Sequence, residues 1–191
     1  MDKLKCVDPQ KGAQERVFNP QELKGLMNQY AASEKAINAY AYKKTGVFSA
    51  SNMVGEYAEL LACQTLGLTK QVASKGKFDA ERDGKTYQIK SRWINSFASG
   101  NGKNEFGEIT DKVINEVNFL LLVVFKGDDF SDARIYEVPM GNVLKIREAY
   151  EQGKISNAIV STKLRGGKHK CYFYEKAFEE AIQLGFMRKV S

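Results

Sequence analysis

The run Phe119–Lys126 reads Phe-Leu-Leu-Leu-Val-Val-Phe-Lys, and it limits the fold more than any other stretch of the chain. It is aliphatic, β-branched and aromatic, with no polar residue before Lys126. It lacks the alternation of a strand with one wet face, so it reads as a central strand covered on both sides. It is also far shorter than the ~20 apolar residues that a membrane-spanning helix needs. Residues 1–14 are polar and carry no apolar core of a secretory leader. A cytoplasmic protein with no membrane partner is therefore expected.

Other elements can be placed around that strand. Asn19-Pro20-Gln21-Glu22 combines an N-cap, a proline at the first helical position and a glutamate three residues after the cap. It opens a helix over residues 20–44, rich in Ala, Leu, Met and Lys and closed by Gly46. A second helix is expected over residues 51–66, with Gly67 as its stop. Its Val54, Ala58, Leu61 and Thr65, with Tyr57, Leu60 and Cys63 alongside, form a wide stripe suited to packing on a sheet. Asp83-Gly84 is a strong two-residue turn signal, so residues 78–92 read as a β-hairpin. Residues 133–138 read as a strand stopped by Pro139, and residues 140–152 as a helix. Residues 171–174 read as a short strand, and 176–184 as a last helix ended by Gly185. This order implies an α/β fold with a mixed sheet and helices on its faces.

The 191 residues suit one domain over residues 19–191, with a helical arm at about 19–46 and a loosely ordered stretch at 1–18. A domain of this size buries roughly 70% of its unfolded surface and needs no staple to fold. The three cysteines, Cys6, Cys63 and Cys171, are scattered and form no CxxC pair, so neither a disulfide framework nor a zinc cluster is expected. Cys63 reads as a small core residue.

The net charge of +6 suggests a polyanionic partner, because Lys and Arg gain free energy by releasing phosphate counterions. The densest basic stretch is Lys163-Leu164-Arg165-Gly166-Gly167-Lys168-His169-Lys170, and Lys75-Gly76-Lys77 is a second. Each is either a phosphate-contacting loop or a solvated one. His169 is the only histidine and reads as a surface residue, which leaves no His-based metal site or Ser-His-Asp triad. Residues 100–104 are weakly glycine-rich and lack a phosphate-loop pattern, so they read as a mobile loop.

The turn at Asp83-Gly84 sets a register. Arg82 faces Lys85, Glu81 faces Thr86, Ala80 faces Tyr87 and Asp79 faces Gln88. Side chains alternate along a strand. Asp79, Gln88 and Lys90 should then share a polar face with Glu81, Thr86 and Arg92. Phe78, Ala80, Tyr87, Ile89 and Trp93 should form a core face. Phosphodiester cleavage calls for a divalent cation held by hard oxygen ligands, with a lysine beside the attacking water. Asp79 offers a carboxylate, Gln88 a neutral carbonyl oxygen and Lys90 the ammonium. Glu56 and Glu59, on the preceding helix, are the candidates for a further carboxylate. The plainer alternative is a solvated sheet face.

Gly55-Glu56-Tyr57-Ala58-Glu59, then Phe78-Asp79, then Gln88-Ile89-Lys90-Ser91-Arg92 resembles the core of PD-(D/E)XK nucleases, and its Gln-x-Lys form resembles the Mrr-like branch of restriction endonucleases. The resemblance covers residues 51–93 and the following strand Phe119–Lys126. It departs from the pattern in Phe78, where the family often has proline, and in Gln88, which replaces an acid and removes one negative charge. It implies a three-layer α/β/α restriction-endonuclease-like fold with a mixed central sheet. The activity implied is Mg2+-dependent DNA cleavage, with Mn2+ able to substitute. Glu56, preferred over Glu59 because it follows glycine, would ligate the metal together with Asp79, Gln88 and the backbone carbonyl of Ile89. Lys90 would position the water. Arg92, Lys75, Lys77, Arg165, Lys168 and Lys170 would contact double-stranded DNA. Cutting both strands implies two sites, hence a homodimer, to which the helix over residues 20–44 could contribute. A nucleic-acid-binding module that has lost cleavage is the second expectation, and a protein-interaction domain the third.

Overall fold

A computed structural model describes residues 5–6, 16–17, scattered positions between 21 and 39, and residues 53–71, 78–94, 104–127, 130–161 and 165–191. The chain divides into two compact units, Met1–Gly46 and Val47–Ser191. In the first unit β1 (Lys5–Cys6) pairs antiparallel with β2 (Arg16–Val17), inside the stretch expected to be loose. Every described position from Gln21 to Ala39 is helical and exposed, in the region where the sequence expects a helix. The stop at Gly46 lies outside the described residues.

The second unit is a mixed α/β structure. Its central sheet has six strands in the order β10-β8-β7-β5-β4-β3. These are β3 (Thr69–Lys70), β4 (Ala80–Arg82), β5 (Lys85–Ile94), β7 (Phe119–Lys126), β8 (Asp132–Pro139) and β10 (Arg188–Lys189). A separate two-stranded sheet joins β6 (Glu105–Thr110) to β9 (Lys168–Tyr172). The α-helices of this unit are α1 (Met53–Leu66), α2 (Asp111–Glu116), α3 (Val143–Glu151) and α4 (Glu175–Gln183), with a 3-10 turn at Met140–Asn142 before α3.

β7 is the central strand that its composition demands. It runs parallel to β5 and antiparallel to β8, and residues 120–125 are all buried. Its side chains alternate between two cores. Leu121, Val123 and Phe125 pack with Ala58, Ala62 and Cys63 of α1. Leu120, Leu122 and Val124 pack with Ile146 of α3 and with Phe178 and Ala181 of α4. Helices therefore cover both faces, which is why the strand has no polar position. The Asn118 side chain ties the start of β7 to β5 by accepting from the Thr86 N–H at 2.9 Å.

The hairpin register matches the turn argument: Arg82↔Lys85, Glu81↔Thr86 and Ala80↔Tyr87. Asp83 and Gly84 have φ of +51° and +72°, as a type I′ turn requires. The ladder begins only at Ala80, because the chain bends at Phe78 and Asp79. Phe78 consequently packs into the α3–α4 core and not with Ala80, Tyr87 and Ile89 under α1, where strict alternation would put it.

Three short elements, β3, β6 and α2, carry no sequence pattern of their own. β6 is irregular at Gly107, where φ is +110° and the register with β9 shifts. Thr110 caps α2, its hydroxyl accepting from the Val113 N–H at 3.3 Å. Among the described residues no helix is long and apolar enough to cross a membrane.

Candidate functional site

Four segments converge where β4 ends against β5. The Asp79 N–H donates to the Tyr87 carbonyl at 2.9 Å, the last hydrogen bond of that pairing. Beyond it, the Asp79 side chain takes over the role of a strand. Its Oδ2 accepts from the Ile89 N–H at 2.6 Å and from the Gln88 Nε2. One carboxylate thus satisfies a backbone donor that a longer β4 would have paired. The N–H and C=O of a strand residue point to the same side. The Ile89 carbonyl therefore faces this corner as well.

The helix acids arrive from the α1 side. Lys70 pairs with Ala80 across β3 and β4. Ala80 lies in the core beneath α1, and directly opposed residues share a face, so Lys70 is aimed at α1. Its ammonium lies 3.2 Å from Glu56 Oε1, donates to Glu56 Oε2 at 3.2 Å, and contacts Glu59. The Lys70 and Glu56 side chains are 6% and 2% exposed, so this is a buried pair; Glu59 is 27% exposed. Although Lys70 is within ion-pair reach of Glu56 Oε1, that oxygen is buried and receives no directed hydrogen bond from the described residues.

Burial is the main influence on two of the acids. It raises the pKa of Asp79, and the Ile89 N–H, Lys90 and Lys70 only partly oppose it. It raises that of Glu59 too, against the Lys70 contact, with the charges of Asp79 and Glu56 adding to the rise. Burial alone would lower the Lys70 pKa, but Glu59 and Glu56 outweigh it and the net shift is upward. The nearby Cys63 thiol is pushed up to about 11 by burial, so it is no thiolate nucleophile at neutral pH.

The corner brings together Asp79, Gln88, Glu56 and Glu59, with the Ile89 carbonyl and with Lys90 close enough for its charge to act on Asp79. Gln88 and Lys90 share one face of β5, and Gln88 bonds to Asp79, but the helix acids are not on that face. The helix acids and Lys70 come from the α1 side, whereas Lys90 lies on the opposite face of β5, directly beside Leu122 of the α3–α4 core. That face is covered, so Gln88 and Lys90 are half-buried where the alternation suggested an open surface. Asp79 stands at the strand edge between them.

The other basic candidates differ among themselves. Arg92 is half-buried on β5, and Arg165 is exposed in the turn before β9. Lys168 pairs with Glu108 at 3.0 Å and Lys170 with Glu105 at 3.2 Å, both across the β6–β9 ladder, so part of the basic loop is a strand. Lys75, Lys77 and most of residues 100–104 lie outside the described residues. His169 is not at the surface. It is 1% exposed, with Nε2 2.8 Å from Asp111 Oδ1 and a buried Nδ1 that has no hydrogen-bond partner among the described residues. It alternates with Lys168 and Lys170 and so turns inward.

Lys70 is the residue that sequence reasoning missed. A two-residue strand shows no periodicity, and only its pairing with Ala80 reveals where it points.

The donor chemistry at this corner fits a hard divalent cation, which favours carboxylate and carbonyl oxygens. The buried Glu56 Oε1, ion-paired with Lys70 but without a directed donor among the described residues, is the atom best able to take a further positive ligand. The set is not gathered as a ready ligand shell: among the described residues no three His, Cys, Asp or Glu side chains form one. Lys70 sits between the two helix acids.

No protein-family model matches the chain, and no curated protein is significantly similar to it.

Proposed function

We propose that this protein is a metal-dependent DNA endonuclease on a restriction-endonuclease-like α/β/α fold. The observation that carries the reading is the corner where Asp79 bonds to Gln88 and to the Ile89 N–H, with Lys90 and the helix-borne Glu59 near enough for their charges to act there, and with burial raising the pKa of Asp79 and Glu59. A solvated sheet face does not bury carboxylates at the end of a ladder; a site that takes up a cation does.

Asp79, Glu56 and the Ile89 carbonyl would hold Mg2+, with Mn2+ able to substitute. The bound ion would neutralise charge on the scissile phosphate and lower the pKa of a water. Glu59, on the same pocket, is an equal candidate for the helix ligand. Lys90 would hold and orient the attacking water through Nζ. Arg92 and Arg165 would contact the phosphate backbone of double-stranded DNA, with Lys75, Lys77, Lys168 and Lys170 as further contacts. Lys168 and Lys170 would first have to leave their glutamates. The chain's +6 charge supports a polyanionic substrate. Double-strand cutting would use a homodimer.

One observation favours a second reading, a nucleic-acid-binding module with weak or no cleavage. The Gln88 amide group donates to Asp79, so it satisfies that acid and does not add a ligand charge. Plasmid incubated with the protein in Mg2+ or Mn2+ separates the two. The nuclease nicks or linearises it, and Asp79→Ala and Lys90→Ala do not. Equal activity in all three proteins would remove the assignment. Salt-sensitive binding without cutting in either metal would leave the module.

A further inference from the structure

The Lys70 ammonium fills the space between Glu56 and Glu59. It rests on a strand of only two residues, Thr69–Lys70, at the end of the sheet order. Its side chain is 6% exposed, so it is not a solvated lysine that happens to pass by. Among the described residues it is the cation paired with both helix acids, while Lys90 acts on Asp79 from the other face of β5.

We propose that Lys70 is the resident counter-cation of this pocket and competes with the divalent ion for it, so that metal loading displaces the Lys70 side chain. The inference rests on the proposed metal-dependent reading and specifies what governs its metal requirement. Two observations and one physical argument carry it. Lys70 touches the same two glutamates that would supply the helix ligand. A divalent ion ligated by Glu56 would come within a few ångströms of that ammonium, and like charges so close disfavour one another strongly. Among the described residues Glu56 Oε1 has no directed donor, although Glu56 is 3% exposed, so one ammonium does not saturate the carboxylate. An ammonium has three donors and no preference for a full oxygen shell; a divalent ion takes six or more oxygen ligands. Glu56 is thus held in place by Lys70 yet retains capacity for a stronger cation.

The function of such an arrangement is to hold the acids in place in the metal-free protein. Lys70 puts a positive charge between two neighbouring carboxylates that would otherwise repel. With it, the pocket stays assembled, and the competition sets a threshold concentration of metal.

The test reads metal binding and lysine accessibility directly. Binding of Mn2+ is followed through loss of the electron paramagnetic resonance signal of free Mn2+, for wild type, Lys70→Met and Asp79→Ala. Lys70→Met keeps the length of the side chain without its charge, and its affinity should be at least about tenfold tighter, the effect of one neighbouring charge at this range. Acetylation of the wild type, mapped by mass spectrometry, provides the second measurement and does not depend on a variant that folds. Lys70 should be protected in metal-free buffer and modified at least severalfold faster with saturating Mn2+, and Asp79→Ala should suppress that change. Asp79-dependent Mn2+ binding with Lys70 still protected, or with Lys70→Met binding no tighter than wild type, would overturn the inference and leave the metal-dependent reading standing. No Mn2+ binding by wild type or by Lys70→Met would overturn both.

Discussion

Asp79 and Glu59 share a pocket with Lys70, and Asp132 and Glu175 share a surface patch with Arg134 and Lys126. The residue types are nearly the same, yet their acids shift in opposite directions. Arg134 grips Asp132 through two parallel hydrogen bonds of 2.9 Å and reaches Glu175 with its remaining nitrogen, and these contacts hold both carboxyls below their usual range. In the pocket, burial outweighs the contacts with lysine and the backbone, and Asp79 and Glu59 move up. In the surface cluster the contacts with Arg134 and Lys126 outweigh burial; in the pocket burial outweighs the contacts. The proposed reading therefore takes Asp79 and not Asp132 as the functional acid: Asp132 is paired with Arg134, whereas Asp79 accepts from the Ile89 N–H and the Gln88 amide.

Activity should separate the two clusters most widely. Asp79→Ala and Lys90→Ala should each reduce plasmid cleavage by at least about 100-fold, the usual loss when a group that handles the reacting water is removed. Arg134→Ala should cut like wild type. Comparable losses in all three would make the pocket no more special than the patch.

Stability should divide them next. Lys70→Ala leaves Glu56 buried without a partner, and chemical denaturation in metal-free buffer should show a loss of about 3–5 kcal/mol. Arg134→Ala removes a partly exposed ion pair and should cost about 1 kcal/mol or less. Equal losses would mean that Lys70 is not held in a dry pocket.

The pH dependence should have opposite signs. Asp79 and Glu59 bind a proton more tightly in the folded state than at their ordinary 3.8 and 4.5. Their contribution to stability is therefore full below those values and fades as pH rises through the raised folded values. Asp132 and Glu175 bind it less tightly than at 3.8 and 4.5. Theirs is full above those values and fades as pH falls through the lowered ones. Thermal melts across that range should show a shallower acid-side loss for Asp132→Asn/Glu175→Gln. For Asp79→Asn/Glu59→Gln they should show a shallower loss as pH rises above the ordinary carboxylate range. The same slope in both double variants would erase the distinction.

Salt should give the smallest difference. At 1 M ionic strength, where the Debye length is ~3 Å, the effect of Arg134→Ala on the melting temperature should nearly vanish. That of Lys70→Ala should persist, because the pair is shielded by protein and not by ions.

Much of the site's scaffold could be read locally. Two residues in a type I′ turn fix the Arg82↔Lys85 register, and that register carries through to Ala80↔Tyr87. The β7 composition fixes a strand buried on both faces. The glycine stops at Gly67 and Gly185 each have positive φ, as helix ends often do. What was not legible depended on partners distant in sequence. β3 has two residues and no pattern, so nothing local distinguishes Lys70 from a surface lysine. His169 sits in a basic segment that looks solvated, and its burial follows only from the pairing of β9 with β6. Phe78 broke the alternation because the ladder had already ended.

The sequence by itself determined the elements that encode their own geometry: a turn that admits two positive φ values, a strand too apolar for water, and helix ends at Gly67 and Gly185. Their physics is local, carried by backbone sterics and side-chain hydrophobicity. Only the tertiary structure decided that Lys70 stands between Glu56 and Glu59 and that the acids reach Asp79 from the opposite face to Lys90. Electrostatic environment depends on what surrounds a charge in three dimensions, and a chain's order of residues does not state how dry each one will be.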